Sequence, residues 1–452
     1  MLTHHGPDSI VAWGNGKNTS AADMLAHVEG FASLLAPAES GQEIVVMCRD
    51  RYRFAVAMIA AWQRGYSIAL PPNPQLETIR AIRERPGVVT AIHDIDGVDK
   101  GIDVRAAHVQ SAARERVGLM PHARWPALPQ DRLLATVYTS GSTGEHTACP
   151  KTAGQLLGEA RVLARTFEPP VGSRFVPMVP THHIYGLLFG VLLPLSSGGA
   201  FYRHTPLHAS EIAALASAGI DVLVTVPAHL RGMLIAKEGE LPRIARVFSS
   251  AAPLSPRVAS QVRARFGWTI SEVFGSSETG GIGWRDSGGQ GPWTPLSGVS
   301  VAAGDDERIR VDSPFLGEGP RPYVGADRVR VHPDGTFEHL GRADDVHKVG
   351  GVRVAVPEVE QRLLAIDGVR DAAVIAREVG GARHKELWAA VVAPGLDVAH
   401  LRAELTKWLA PVAVPRRFKL VDALPRAEHG KLRRADVEAL FGASRHADEE
   451  SE

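Results

Sequence analysis

Between about residue 20 and about residue 275, short apolar runs alternate with helix-length stretches, and few architectures accommodate that alternation. The runs at 43–48, 133–139, 221–226, 245–248 and 270–274 have the length and composition of buried strands. Residues 52–64 and 155–167 have helical spacing. A helix between two strands makes a crossover connection, which joins parallel neighbours, so mostly parallel sheets are predicted. Ser20, with Asp23 three residues on, forms a capping-box pattern that starts a helix reaching residue 35. From 288 to 340, Gly, Pro and short β-branched runs take over, as in an antiparallel or barrel-like region. Beyond it, a helix at 356–366, strands at 371–376 and 387–392 and a helix at 399–409 read as a compact α+β unit. The expected fold is a large α/β N-terminal domain with mostly parallel sheets and a barrel-like part, followed by a small α+β C-terminal domain. A chain of 452 residues has room for both. The boundary is expected at 341–345, giving domains at 1–341 and 342–452.

Several classes of function are disfavoured at once. Lys+Arg and Asp+Glu are both 50, so no basic surplus points to nucleic acid or an anionic membrane. The longest apolar stretch, 186–194, falls far short of the ~20 residues that cross a bilayer and reads as a buried core helix. The first eighteen residues lack an apolar signal-peptide segment. Two cysteines, Cys48 and Cys149, cannot staple a fold of this size, which suits a reducing compartment. A cytoplasmic protein is expected. The acidic tail at 447–452 is expected to fray.

Four segments carry chemistry. Tyr138-Thr-Ser-Gly-Ser-Thr-Gly144 leads to Lys151; it follows a strand and precedes a helix. Glycines admit phosphate to the backbone, hydroxyls and N–H groups donate to it, and a lysine adds charge. A Gly/Ser run alone would equally suit a surface linker; the strand–loop–helix context favours phosphate. No Walker A string is present. Val273-Phe-Gly-Ser-Ser-Glu-Thr-Gly280 ends a strand with an aromatic, two hydroxyls and a carboxylate. Glu278 suits a hard cation such as Mg²⁺, and Phe274 suits stacking on a base; a helix cap beside a core aromatic is the plainer alternative. Gly341-Arg-Ala-Asp-Asp-Val-His-Lys-Val-Gly-Gly351 suits a hinge or a solvated turn, and Leu424-Pro-Arg-Ala-Glu-His-Gly-Lys431 ends on a lysine that is either mobile and functional or an ordinary surface residue.

Taken in order, these segments resemble the adenylate-forming superfamily of acyl- and aryl-CoA ligases, nonribosomal adenylation domains and luciferases, from about residue 40 to about 435. Thr139, Ser140, Gly141, Ser142, Thr143 and Gly144 resemble its phosphate loop, with Lys151 beyond. Pro180-Thr-His-His-Ile-Tyr-Gly186 resembles its Pro-x-x-His-x-x-Gly segment, with His183 beside the acyl pocket. Ala251, Ala252 and Pro253 resemble the adenine-side strand end. Phe274, Gly275, Ser276, Ser277 and Glu278 resemble the aromatic-Gly-x-Thr-Glu motif, with Glu278 in the magnesium role. Asp327 and Arg342 match the ribose-contacting pair, Asp344 the hinge aspartate, Gly350 and Gly351 the thiol channel and Lys431 the C-terminal lysine. The chain departs from the pattern in the six residues between Gly144 and Lys151 where two are usual, in Ala326 and Ser277, and in its shortness before the phosphate loop. The longer loop, the shortness and Gly275-Ser-Ser-Glu-Thr-Gly-Gly-Ile282 together resemble the stand-alone ligases of aryl polyene and xanthomonadin-type pigment clusters.

The resemblance implies ATP-dependent formation of an acyl-AMP with Mg²⁺, then transfer to the thiol of CoA or of a carrier protein's phosphopantetheine, with no nucleophilic enzyme side chain. Residues 182–190 hold no carboxylate for an α-ammonium, which disfavours an amino acid, and His183, Tyr185 and Phe189 suit an aryl or short acyl acid. Arg416, Arg417, Lys419, Arg433 and Arg434 suit an acidic carrier, the phosphates of CoA, or simply a solvated face. Two alternatives stay open: adenylation followed by non-thioester chemistry, and a non-catalytic nucleotide-binding scaffold. Neither nucleic acid nor a membrane is expected as a partner.

Overall fold

Several helices begin where a side chain supplies a cap. Ser20 and Asp23 form the reciprocal capping box of helix Ala21–Ala32, and Asp50 accepts the Tyr52 and Arg53 N–H groups at the start of helix Arg51–Gln63. The computed structural model describes residues 4–105, 128–140, 146–237, 239–286, 288, 290–317, 319–349, 352–379, 385–427 and 432–442.

Among the described residues, six strands form one sheet, ordered Ile102–Asp103, Val88–His93, Glu43–Met47, Ser67–Leu70, Leu133–Ser140 and His146–Thr152. Neighbours are parallel except the last pair. Nine strands form a second sheet, ordered Thr294–Pro295, Gly280–Arg285, Ile270–Ser276, Arg246–Ser249, Val222–Thr225, Arg174–Pro177, Ala200–Tyr202, Ile10–Gly14 and Lys17–Ser20. The run from Ile270–Ser276 to Ile10–Gly14 is parallel. Strands such as Val222–Thr225 are buried throughout, as parallel strands covered on both faces must be.

Several strands escape sequence reading, Ile10–Gly14, Ser67–Leu70, Val88–His93 and Arg174–Pro177 among them, and one more bears on the candidate site. His146–Thr152 pairs antiparallel with Leu133–Ser140, so Thr139 and Ser140 end the first of two paired strands and helix Ala153–Phe167 starts only after the second. Pro150 hides this strand from a pattern search, and the strand tolerates it because it lies at the sheet edge. The barrel-like expectation resolves into an antiparallel meander of Ser300–Ala303, Arg308–Asp312, Tyr323–Val331 and Phe337–Arg342, tied to the nine-stranded sheet by a bridge between Trp293 and Phe337.

The last hundred residues pair Asp371–Glu378 antiparallel with Lys385–Val392, which runs parallel to Arg417–Leu420. Helices Val356–Ala365, Val398–Thr406 and Arg434–Gly442 accompany this sheet. The apolar clusters there draw only on residues from Val349 onward, with Val359, Leu363, Ala389, Val391 and Leu401 at their centre. The apolar stretch 186–194 is a buried helical segment widened by a π-turn at Leu188–Leu192. No helix among the described residues is long and apolar enough to cross a membrane.

Arg51 rivets the two large sheets together. Its guanidinium is fully buried and donates to the carbonyls of Tyr202 (2.9 Å), His204 (2.8 Å), Pro177 (3.2 Å) and Val179 (2.7 Å) and to the Thr205 hydroxyl (3.2 Å). Arg51 follows a strand of the six-stranded sheet, and those carbonyls lie at strand ends of the nine-stranded one. The Arg51 N–H also donates to the Arg203 carbonyl at 2.8 Å, and Arg203 pairs with Asp50 at 2.7 Å. Replacing Arg51 by Leu strands these buried carbonyls without donors, an expected loss of about 3 kcal/mol. Urea unfolding followed by circular dichroism checks this, and an unchanged midpoint for Arg51→Leu would disprove the rivet.

Candidate active site

The Phe274–Gly280 segment is a hairpin turn whose shape follows from its own short side chains. The Ser276 N–H donates to Thr279 Oγ1 (3.1 Å) and the Thr279 N–H to Ser276 Oγ (3.2 Å), closing the turn reciprocally. Glu278 stands exposed at its tip. Glycine is obligatory at both ends. A Cβ on Gly275 would lie 2.4 Å from the Gly280 carbonyl, and Gly280 has a φ of +69°.

Behind the turn, two buried charges hold it. Lys151 Nζ donates to the carbonyls of Glu278 (3.1 Å) and Phe315 (2.9 Å). Glu159, on helix Ala153–Phe167, accepts the Gly281 N–H at 2.6 Å. Burial pushes the Glu159 carboxyl up to about 7, against the Gly281 N–H and the Lys151 charge, which pull it down. Burial lowers the Lys151 pKa, and Glu159 raises it. The lysine was expected at the phosphate loop. Its strand partner is Ala135, at the far end of the hairpin from Ser140, and its ammonium points into the domain.

On the other side of Phe274 lies a second group. The Phe274 ring stands 5.2 Å from the His339 ring; His339 Nε2 is 2.9 Å from Asp327 Oδ1, and Asp327 Oδ2 is 3.7 Å from the Arg342 guanidinium. Asp327 and Arg342 are direct partners across antiparallel strands. Half-buried Tyr323 lies among them. Burial raises its phenol pKa first, the Glu278 and Asp327 charges raise it further, and Arg342 lowers it. Sequence reading missed Tyr323 and His339; nothing local marks them, although His339 lies on the strand that carries Arg342.

The Pro180–Gly186 segment is a tight approach rather than a loose loop. A Cβ on Gly186 would lie 1.9 Å from the Pro180 carbonyl, so the motif's glycine is a packing requirement. His183 opens the helical turn Ile184–Leu187, with its ring 4.3 Å from that of His182. Tyr185 donates to the Thr225 carbonyl at 3.1 Å and abuts Phe189, which packs on Phe248. Ala251, with a φ of +71°, is followed by exposed Ala252 and Pro253; all three line a cleft of about 350 Å³ shared with Arg231, His347, Glu360 and Arg426. A larger cleft of about 730 Å³ reaches Pro180, Thr181 and His182 from Arg49, Arg53 and Arg203, but holds none of Glu278, Asp327 or Arg342.

Of the remaining candidates, Thr139 and Ser140 end the strand leading to the loop, and Asp344 lies in the turn Ala343–Asp345. Gly141, Ser142, Thr143, Gly144, Gly350, Gly351 and Lys431 lie outside the described residues, as does the acidic tail. Burial, followed by the Glu278 charge, pushes the Cys149 thiol up to about 11, which argues against a thiolate nucleophile. Lys419 donates to the Leu440 carbonyl, Arg434 pairs with Glu438, and Arg417 lies over Trp388, so these basic side chains are engaged inside their own unit. Among the described residues no group of three or more His, Cys, Asp or Glu side chains could hold a metal. Exposed Glu278 fits a cation that takes one carboxylate and completes its shell with phosphate and water oxygens, as Mg²⁺ does.

Comparison with known proteins bears directly on this arrangement. The AMP-binding enzyme family matches residues 3–313, and the AMP-binding enzyme C-terminal domain matches residues 358–431. A 4-coumarate–CoA ligase of Rhodobacter capsulatus is 33% identical over 319 residues, 70% of this chain and 79% of that one. A benzoate–CoA ligase of Thauera aromatica is 28% identical over 355 residues, 68% of this chain and 66% of the relative. The fold is shared with ATP-bound MatB from Rhodopseudomonas palustris, at a TM-score of 0.81 and 20% identity over 97% of this chain and 96% of that one. On the matched family domains and the 4-coumarate–CoA ligase relationship, the chain belongs to the AMP-binding enzyme family, the adenylate-forming superfamily that its ordered motifs resemble.

Proposed function

We propose that the protein activates an aryl or short acyl carboxylic acid as its adenylate, using ATP and Mg²⁺, and passes the acyl group to a pantetheine thiol. The observation that carries this reading is the meeting of the Phe274–Gly280 turn, which bears Glu278, with the Asp327, His339 and Arg342 group through the Phe274–His339 ring contact. One end supplies a carboxylate for a cation; the other supplies an aromatic face and an aspartate suited to ribose hydroxyls. Bound Mg²⁺ would neutralise charge on the phosphates. Ser140, Ser142 and Thr143 would hold those phosphates, and Lys431 the α-phosphate and substrate carboxylate. Ala251, Ala252 and Pro253 would face the adenine.

The acid is bounded by the absence of a carboxylate in residues 182–190 and by the aromatic neighbourhood of Tyr185 and Phe189. The coumarate and benzoate relatives support an aryl acid. The acceptor is CoA or a carrier protein, and parallel transfer assays with both decide between them. In carboxylate-dependent ATP–pyrophosphate exchange, benzoate- or cinnamate-like acids are expected to be turned over at least about tenfold better than common α-amino acids, a difference of 1.4 kcal/mol in the barrier. Exchange with amino acids alone would refute this assignment.

Residues 342–452 act as a mobile domain pivoting at Asp344, which withdraws Lys431 after adenylation and brings Gly350 and Gly351 to the thiol channel. Rotation must break the Arg231–Asp371 pair (3.3 Å) and the Arg257–Asp367 pair (2.5 Å). The second is exposed and costs little to break. Lys431→Ala is expected to lower exchange by roughly a hundredfold or more, yet spare transfer from pre-made acyl-adenylate. Asp344→Pro, which restricts φ at the pivot, is expected to spare exchange and damage thioester formation. Equal loss of both half-reactions in folded variants would remove the two-conformation mechanism.

A further inference from the structure

We propose that Lys151 and Glu159 are positioning residues that clamp the two ends of the Glu278 turn and thereby place its carboxylate for the cation. This rests on the magnesium role given to Glu278 above. The turn passes between an ammonium that holds its outgoing carbonyl and a carboxylate that holds its returning N–H. Lys151 Nζ takes the Glu278 carbonyl at 3.1 Å, and Glu159 Oε1 takes the Gly281 N–H at 2.6 Å. Between these points lie only Thr279 and Gly280, so the peptide planes on either side of the exposed tip are fixed by charges rooted in the core.

Three further features fit a clamp rather than incidental packing. Both residues are almost fully buried, which a lone Lys or Glu avoids unless its charge is used. The backbone makes room for them: a Cβ on Gly280 would lie 2.6 Å from Glu159 Oε2, and one on Gly281 would lie 3.1 Å from Oε1. The paired glycines after Glu278 are thus shaped by Glu159. The same support extends to the neighbouring segment, since Lys151 also holds the Phe315 carbonyl at 2.9 Å and Gln155 donates to the Leu316 carbonyl. Lys151 is the penultimate residue of the hairpin strand and Glu159 lies about two turns into the following helix, so one stretch of chain delivers both charges. Residues 146–150, which precede Lys151, belong to this strand, and its pairing carries the lysine inward.

The test compares Lys151→Met, Glu159→Leu and Glu159→Gln with the parent enzyme and with Glu278→Gln. Gln at 159 keeps an acceptor for the Gly281 N–H, whereas Leu does not. The first readout is binding of Mn²⁺, standing in for Mg²⁺, to the enzyme with a non-hydrolysable ATP analogue, followed by electron paramagnetic resonance without turnover. The second is the Mg²⁺ dependence of exchange. Lys151→Met and Glu159→Leu are expected to weaken Mn²⁺ binding and raise the half-maximal Mg²⁺ concentration about tenfold, while the rate at saturating Mg²⁺ falls less than about threefold. Glu159→Gln should restore near-parental values. A purely structural role would instead lower the rate and the melting temperature with the cation dependence unmoved.

Unchanged Mn²⁺ affinity in folded Lys151→Met and Glu159→Leu, with Glu278→Gln weakened, overturns the clamp and leaves the magnesium role standing. Unchanged affinity in Glu278→Gln overturns the magnesium role itself, and the clamp with it. Should Lys151→Met fail to fold, the Glu159→Leu and Glu159→Gln pair decides alone, since loss without rescue by Gln also defeats the proposal.

Discussion

The architecture depends on one buried guanidinium. Two mostly parallel sheets, each with its own crossover helices, have no intrinsic reason to meet at one angle. Arg51 supplies that reason by inserting between them and taking carbonyls at Pro177, Val179, Tyr202 and His204. A planar guanidinium presents its donors in a rigid fork, so strand ends that bind it are fixed in direction as well as distance. The Pro180–Gly186 segment leaves directly from Val179, and its His183 turn inherits that placement. The close approach of Gly186 to the Pro180 carbonyl then gives the segment little freedom to shift.

The Glu278 turn is governed by the same logic at smaller scale. The role proposed for Glu278, meeting a cation and phosphates, needs an exposed carboxylate, yet an exposed hairpin tip is ordinarily the least constrained part of a sheet. Here the tip is held from below, through main-chain groups, by charges that water cannot reach. The group proposed to face the ribose is organised differently. Asp327, His339 and Arg342 sit on paired strands of the antiparallel meander, so strand register alone brings them together. The bridge between Trp293 and Phe337 carries that meander to the sheet that holds Phe274. Candidate site side chains from two separate sheets thereby meet, Phe274 against His339.

The sequence alone determined the alternation of strand and helix, the Ser20 cap, and the ordered motifs from Thr139 to Lys431. These signals are local: periodicity, capping and turn chemistry act over a few residues, so one stretch of chain carries each of them. The family relationship was legible for the same reason, since its motifs are short strings in a set order. What only the tertiary structure decided was where charges go once the chain is closed. Pro150 concealed an edge strand, and with that strand the direction in which Lys151 travels. The phosphate-loop motif linked this lysine to phosphate while its six-residue separation told against that place, and pairing with Ala135 turns it into the core, beneath Glu278. Tyr323 and His339 had no local mark, because their importance comes from partners on other strands. Arg51 reads as an ordinary arginine beside an aspartate until two sheets close around it. Burial and pairing of charge are properties of the assembled fold, fixed by contacts between residues more than a hundred positions apart.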